Sequence, residues 1–115
     1  MKKNYHIGVE VTMDIIGGKW KPIILCNLRD QTLRTGELQR KIPAISRKML
    51  TQQLRELEEA NIIIRKVYNQ VPPKVEYSLS EYGKTLNTIL DHLCTWGEAH
   101  AQTVDNIEFY EKIEA

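Results

Sequence analysis

The stretch that most constrains this chain is residues 46–61, SRKMLTQQLRELEEAN. At 100° per residue from Ser46, Met49, Leu50, Leu54, Leu57 and Ala60 fall within one arc about 140° wide. Arg47, Lys48, Thr51, Gln52 and Arg55 fall together on the opposite face. Ser46 suits the N-cap, where its hydroxyl can accept a bond from an orphan backbone N–H. Ile45 and Leu50 are spaced for a hydrophobic staple, and Asn61 can end the helix because it tolerates a left-handed backbone. Gln53 falls inside the apolar arc and is expected to be partly buried and hydrogen-bonded.

The charges on this helix oppose its dipole. Arg47 and Lys48 lie in the first turn, and Glu56, Glu58 and Glu59 lie near the end. The dipole favours the reverse, by about 0.3–1 kcal/mol per exposed charge. Stability alone does not select that order; a helix whose N-terminal end meets an anion does, and phosphate is the obvious one. The bland alternative is a solvated charged face, so the rest of the chain must decide.

Charge is distributed unevenly along the chain. The formal net charge of +1 hides a +2 segment at residues 1–28, a +5 segment at 29–74 and a −6 segment at 75–115. A basic middle with an acidic end fits a polyanion-binding surface on one part of a single domain. The 115 residues suffice for one domain with a real core. No apolar run reaches the ~18 residues needed to span a bilayer, and no signal-peptide pattern follows Lys2 and Lys3. The expectation is a cytoplasmic protein. Cys26 and Cys94 are isolated in apolar helical patterns, which favours buried, reduced thiols over a disulfide. There is no CxxC and no metal-ligand spacing, so no metal and no cofactor is expected.

Taken in order, residues 1–8 are polar and expected to be poorly fixed. Val9, Met13 and Ile16 mark a short first helix ended by Gly17-Gly18. The Gly-Gly-Lys there is not a phosphate loop, since the GxxxxGK[ST] spacing is absent. Lys19 or Trp20 opens a second helix to about Leu28, with Pro22 in its first turn and Trp20, Ile23, Ile24 and Leu28 as its apolar stripe. Residues 31–34 form a linker with room for a short edge strand. Thr35 is placed to cap a third helix with Leu38 and Ile42 inward. After the tight connection Pro43-Ala44-Ile45 comes the helix described above. Two helices joined by such a turn, the second with a basic polar face, make a helix-turn-helix.

Ile62, Ile63, Ile64, Val67 and Tyr68 then read as a strand. Residues 69–73 read as a loop with two prolines, and Val75, Tyr77 and Leu79 alternate with polar residues as the return strand. A two-stranded hairpin flanked by Arg65, Lys66 and Lys74 makes a wing able to lie along a sugar-phosphate backbone or in a minor groove. Ser80 caps the next helix, with Tyr82, Leu86, Ile89, Leu90, Leu93 and Trp96 at helical spacing. A last helical segment at about residues 98–112 adds Val104 and Ile107. This apolar surface, residues 80–113 with the first helix, is more than a solitary terminal helix needs and suits a two-fold dimer contact.

At this point the sequence resembles the HxlR-type family of bacterial winged helix-turn-helix transcriptional regulators, which are MarR-like. The resemblance rests on Asp14-Ile15-Ile16-Gly17-Gly18-Lys19-Trp20-Lys21, Gly36-Glu37-Leu38, and residues 45–57. It continues through Val67-Tyr68, Val71-Pro72-Pro73-Lys74-Val75-Glu76-Tyr77 and Leu79-Ser80-Glu81-Tyr82-Gly83, so it covers about residues 9–97. It implies a mostly α, α+β winged helix, dimerising through its terminal helices and binding a palindromic double-stranded DNA operator. The 46–61 helix would enter the major groove and the 65–75 hairpin would be the wing. Many members carry a redox-sensing Cys in a Cys-Pro-Val-Glu-like motif; here the segment is Ile7-Gly8-Val9-Glu10, and Ile7 stands where that Cys would be.

The residues assigned to DNA are Arg47, Lys48, Thr51, Gln52 and Arg55 in the major groove and Ser46 on phosphate. Arg34 and Thr35 would anchor the preceding helix, and Arg65, Asn69, Gln70 and Lys74 would serve the wing. Three rival readings remain. A winged helix used only for protein contact has no need of basic residues set against the dipole. An enzyme would have to use His6, His92 or His100, none with an interpretable nucleophile or carboxylate spacing. A small-molecule inducer site, compatible with DNA binding, would be lined by Trp96, Tyr82 and Tyr110 near the dimer contact.

Overall fold

A computed structural model describes residues 2–110. The elements are α1 (Gly8–Ile16), α2 (Trp20–Leu28), β1 (Leu33–Arg34), α3 (Thr35–Lys41), α4 (Arg47–Glu59), β2 (Ile63–Tyr68), β3 (Lys74–Leu79), a single 3-10 turn (Gly83–Leu86) and α5 (Asn87–Thr103). The expected hairpin acquires a third strand: β1 pairs antiparallel with β3, giving the order β1-β3-β2. The linker at 31–34 therefore closes the sheet, with Leu33 opposite Tyr77 and Arg34 opposite Glu76. The wing is a two-stranded extension of a three-stranded sheet.

The apolar arc read from residues 46–61 faces inward, except that Met49 at its edge is exposed and Ala60 is half-buried. Leu50, Leu54 and Leu57 are fully enclosed, together with Ile24, Leu25 and Leu28 of α2, Leu38 of α3 and Leu90 of α5. Alternation along the sheet adds Ile63, Tyr77, Leu79 and Leu33 from one face. Among the described residues no polar or charged residue is buried in this core. In α2 the inward stripe is rotated from expectation, because Leu25 is buried while Ile23 is partly exposed. A helical run of Ile, Ile, Leu and Cys carries almost no periodic signal, so its rotation is set by the neighbours rather than by α2 itself.

The ends of α4 follow local chemistry. Ser46 is extended and its Oγ accepts from the Met49 N–H at 3.1 Å. At the other end Asn61 takes φ +62. The Asn61 N–H donates to the Glu58 carbonyl and the Ile62 N–H to the Leu57 carbonyl, the paired bonds of a Schellman cap. Ile62 is thereby turned into the core, and the chain enters β2 one residue later. Gln53 is half-buried, and its Nε2 donates to Met49 Sδ at 3.4 Å.

Four expectations change. Thr35 is the first residue of α3 rather than its cap; Arg34 is the cap residue, and its backbone N–H donates to Glu37 Oε1 at 2.9 Å. Ser80 does not open a long helix. Its Oγ donates to the carbonyls of Asn61 and Ile62 and accepts from the Gly83 N–H, so it ties the 3-10 turn to the end of α4. A Cβ at Gly83 would meet the Ile62 carbonyl oxygen at 2.0 Å, and this close approach is why glycine stands there. Helix α5 ends at Thr103, and residues 104–110 have no helical turn; residues 111–113 of the expected C-terminal segment lie outside the described residues. Finally, Cys26 and Cys94 are free and half-buried, but they are not isolated, since their sulfurs lie 3.8 Å apart.

Burial of the α4 stripe predicts that Leu54→Ala costs about 2–5 kcal/mol in urea unfolding, because a cavity is left in a closed core. Thr51→Ala, on the exposed face of the same helix, changes stability by less than about 0.5 kcal/mol in the same measurement.

Candidate nucleic-acid interface

Because α4 buries one stripe, its opposite stripe is presented to solvent as a unit. Arg47, Lys48, Thr51, Gln52 and Arg55 are all exposed. Neither Arg47 nor Lys48 has an ion-pair partner among the described residues, and the first turn contains no acid. The basic end of the helix is thus left uncompensated. At the other end of the exposed stripe, Glu56 is held inward. Its carboxylate accepts from Lys21 Nζ of α2 and from Gln52 Nε2, both at 2.8 Å. Hydrogen bonding from Lys21, then from Gln52, then the Lys21 charge, keeps Glu56 below the ordinary carboxylate range. Gln52 is consequently oriented by Glu56, with its amide oxygen free of that contact.

The sheet brings the wing to the same side. In the antiparallel register Arg65 lies opposite Tyr77 and Lys66 opposite Glu76. Alternation puts Arg65 on the face shared with buried Ile63, Tyr77 and Leu79, and beyond their edge it reaches α4. Thr51, Arg55, Glu58, Arg65 and Tyr77 together line an open cleft of about 310 Å³. Three of the expected residues, from two elements, meet there. Glu58, an acid, shares the cleft and sets an anion-repelling limit to it.

The other sheet face holds a cationic cluster around an aromatic ring. Lys66 Nζ and Lys74 Nζ lie 4.9 and 4.7 Å from the centre of the Tyr68 ring. Such contacts contribute about 0.5–1 kcal/mol at exposed positions. Lys74 also pairs with Glu76 at 3.4 Å. The Tyr68 hydrogen bond, with Lys74 beside it and Arg34 nearby, holds the Glu76 carboxyl below its usual range. Lys74 is therefore committed to the strand stem, whereas Asn69 and Gln70 stand exposed in the loop beside fully exposed Val71. Lys66 belongs to this cluster as much as Lys74 does; its cross-strand position was the signal available in the sequence.

A second open cleft, of about 550 Å³, lies between β1, α3 and β3 and is lined by Thr32, Arg34, Gly36, Glu37, Arg40 and Glu76. Arg34 is exposed there beside Arg40, an exposed basic residue on the outward face of α3. Thr35 is half-buried, and Ser46 Oγ already caps α4, so neither presents a fully free hydroxyl. The aromatics expected to share one pocket are apart. Tyr82 borders an apolar cavity of about 130 Å³ with Ile15, Ile16, Ile62 and Leu86. Trp96 stacks on His100 at 5.2 Å beside a separate depression. Tyr110 is fully exposed. Among the described residues no cluster of three or more His, Cys, Asp or Glu could hold a metal, and no helix is long and apolar enough to cross a membrane.

A helix-turn-helix built from α3 and α4 and followed at once by a hairpin defines the winged helix-turn-helix class. Within that class the chain belongs to the HxlR-like helix-turn-helix family of transcriptional regulators, whose model matches residues 15–105. It is 61% identical over 103 residues to the uncharacterized HTH-type transcriptional regulator YtcD of Bacillus subtilis, covering 90% of this chain and 82% of that protein. Among solved structures it is similar to the redox regulator HypR in its oxidized form, at 53% identity and TM-score 0.77 over 79% of this chain and 94% of that one. It is also similar to a MarR-family regulator from Porphyromonas gingivalis, at 37% identity and TM-score 0.79 over 85% and 96% of the two chains.

The Lys21–Glu56 pair makes a pH prediction. A carboxyl whose folded pKa is depressed contributes stability above its unfolded value, and the contribution is lost as pH falls through the folded value. Glu56→Gln should therefore be less stable than the parent at neutral pH, and the two urea midpoints should converge below about pH 4.5, the ordinary Glu value.

Proposed function

We propose that this protein is a sequence-specific double-stranded DNA-binding regulator that acts as a homodimer on a palindromic operator. The observation that carries the proposal is the uncompensated basic stripe of α4, with Arg47, Lys48, Thr51, Gln52 and Arg55 exposed as a unit opposite the buried Leu50, Leu54 and Leu57. In this reading α4 enters the major groove. Arg47 or Lys48 pairs with guanine and Gln52 with adenine, each good bidentate contact discriminating by about 1–3 kcal/mol. The N-terminal end of α4 at Ser46 lies against phosphate, where helix dipole and basic side chains act together. Arg34, Thr35 and Arg40 anchor α3 to the backbone, and Arg65, Asn69, Gln70, Lys74 and Lys66 serve the wing. No catalytic group and no cofactor is assigned.

Exposed apolar residues on the terminal helices support the homodimer. Val9, Met13, Ile89, Leu93 and Trp96 project from α1 and α5, and Ile107 and Phe109 follow beyond α5. Trp96 is 70% exposed, an unusual state for the largest apolar side chain of a lone domain. Covering this surface with its two-fold copy sets two α4 helices about one DNA turn, ~34–36 Å, apart or a multiple of it. The small cavity beside Tyr82 leaves room for only a small apolar inducer.

The test is selection of duplexes from random DNA, with affinity measured across salt concentrations. A palindrome bound by two chains, with affinity falling steeply as salt rises, is expected. Arg47→Ala should weaken binding by about 1–3 kcal/mol and relax preference at one base position in each half-site. Absence of duplex binding even at low salt would remove the proposal.

A further inference from the structure

Cys26 and Cys94 take no part in the interface, yet the fold sets them face to face. They are 68 positions apart in sequence, on α2 and α5, and their Sγ atoms are 3.8 Å apart. The two helices are held in that relation by contacts that involve no sulfur. Arg29, at the end of α2, pairs with Asp91 of α5, and its Nη1 also donates to the Asn87 carbonyl at 3.4 Å. Both thiols are half-buried, so a small oxidant can reach the pair.

We propose that Cys26 and Cys94 are a two-electron redox couple within one chain, closed to a disulfide by a hydroperoxide. In the first step the Cys94 sulfur attacks the peroxide oxygen and the O–O bond breaks. The departing alkoxide takes the Cys94 proton and leaves as an alcohol, and Cys94 becomes a sulfenic acid. In the second step the Cys26 sulfur attacks the Cys94 sulfur and the S–O bond breaks. The departing hydroxide takes the Cys26 proton and leaves as water. Two thiols and one hydroperoxide give one disulfide, one alcohol and one water; the thiols lose the two electrons that the O–O bond gains.

The order of steps follows from the surroundings of Cys26. Burial, then its hydrogen bond with Cys94, pushes the Cys26 thiol up to about 11; Asp91 adds to this and Arg29 opposes it. Thiolate is the attacking form and these surroundings disfavour it at Cys26, which therefore serves as the second thiol, already in contact with Cys94. Its contact with Cys94 then makes the closing step intramolecular and oriented. An S–S bond of about 2.05 Å requires the sulfurs to approach by less than ~2 Å, a side-chain adjustment across the α2–α5 contact. The product joins the helix that braces α4 through Lys21 to the helix that carries Trp96. The chemistry requires no DNA and stands apart from the operator reading.

The decisive experiment uses the reduced full-length chain, one equivalent of hydrogen peroxide, and alkylation under denaturing conditions. The expected product has lost about 2 Da, takes up no alkylating agent, runs as a monomer on a non-reducing gel, yields a Cys26–Cys94 linked peptide, and reverts with dithiothreitol. Cys26→Ser should accumulate a dimedone-reactive sulfenic acid at Cys94. A disulfide-linked dimer as the main product would overturn the proposal, as would two thiols that stay alkylatable or go on to sulfinic acid. Because the parent chain supplies the first readout, poor folding of the variant cannot rescue a failed prediction.

Discussion

Burial of Leu50, Leu54 and Leu57 is the constraint on which the rest of the structure depends. A helix has one rotational degree of freedom about its axis, and these three side chains remove it. Each brings about 1.5–3 kcal/mol of transfer free energy, far more than any surface charge on the same helix contributes. The helix can therefore carry Arg47 and Lys48 against its own dipole at a cost of at most about 2 kcal/mol and still be held. Electrostatic strain on the outer face is tolerated because apolar burial on the inner face exceeds it.

The second requirement is that the wing leave α4 in a fixed direction. Asn61 reverses the backbone, Ile62 drops into the core, and Ser80 then closes the far side of the hairpin onto the same two carbonyls. The Ser80 N–H adds a second bond to the Ile62 carbonyl at 3.0 Å. Gly83 packs against that oxygen as well. One peptide unit thus joins α4, the wing and the start of the C-terminal helices. Arg65 reaches the α4 cleft because this junction sets the strand register, and a one-residue slip would turn Arg65 to the opposite face.

What was legible in the sequence follows from which signals are local. The caps of α4, the leucines of its buried stripe, the hairpin and the edge strand are each written in a few adjacent residues, and each appears as read; Met49, at the edge of the apolar arc, is exposed instead. The rotation of α2 was not legible, since nearly every position from Ile23 to Leu28 is apolar and only the surrounding helices decide which points inward. Thr35 misled because a threonine before a helix resembles a cap; the capping bond came instead from Glu37, three residues after Arg34, a spacing equally visible. The end of α5 at Thr103 was missed because Val104 and Ile107 prolong the helical spacing without a buried partner. The contact between Cys26 and Cys94 lay beyond sequence reasoning altogether, because it depends on how α2 and α5 cross.

The exposed stripe and the buried core are not independent achievements of the fold. Lys21 lies on α2, whose Ile24, Leu25 and Leu28 are sealed in the core, and its Nζ reaches Glu56 on α4. Glu56 in turn holds Gln52. A side chain assigned to base reading is therefore positioned through two polar contacts that begin in the core-packed helix. Without Lys21 the Glu56 carboxylate keeps only its contact with Gln52, one turn away on the same helix. The seating of α2 and the orientation of Gln52 are therefore linked through Lys21 and Glu56, so the exposed face of α4 is held from the same helix that seals the core.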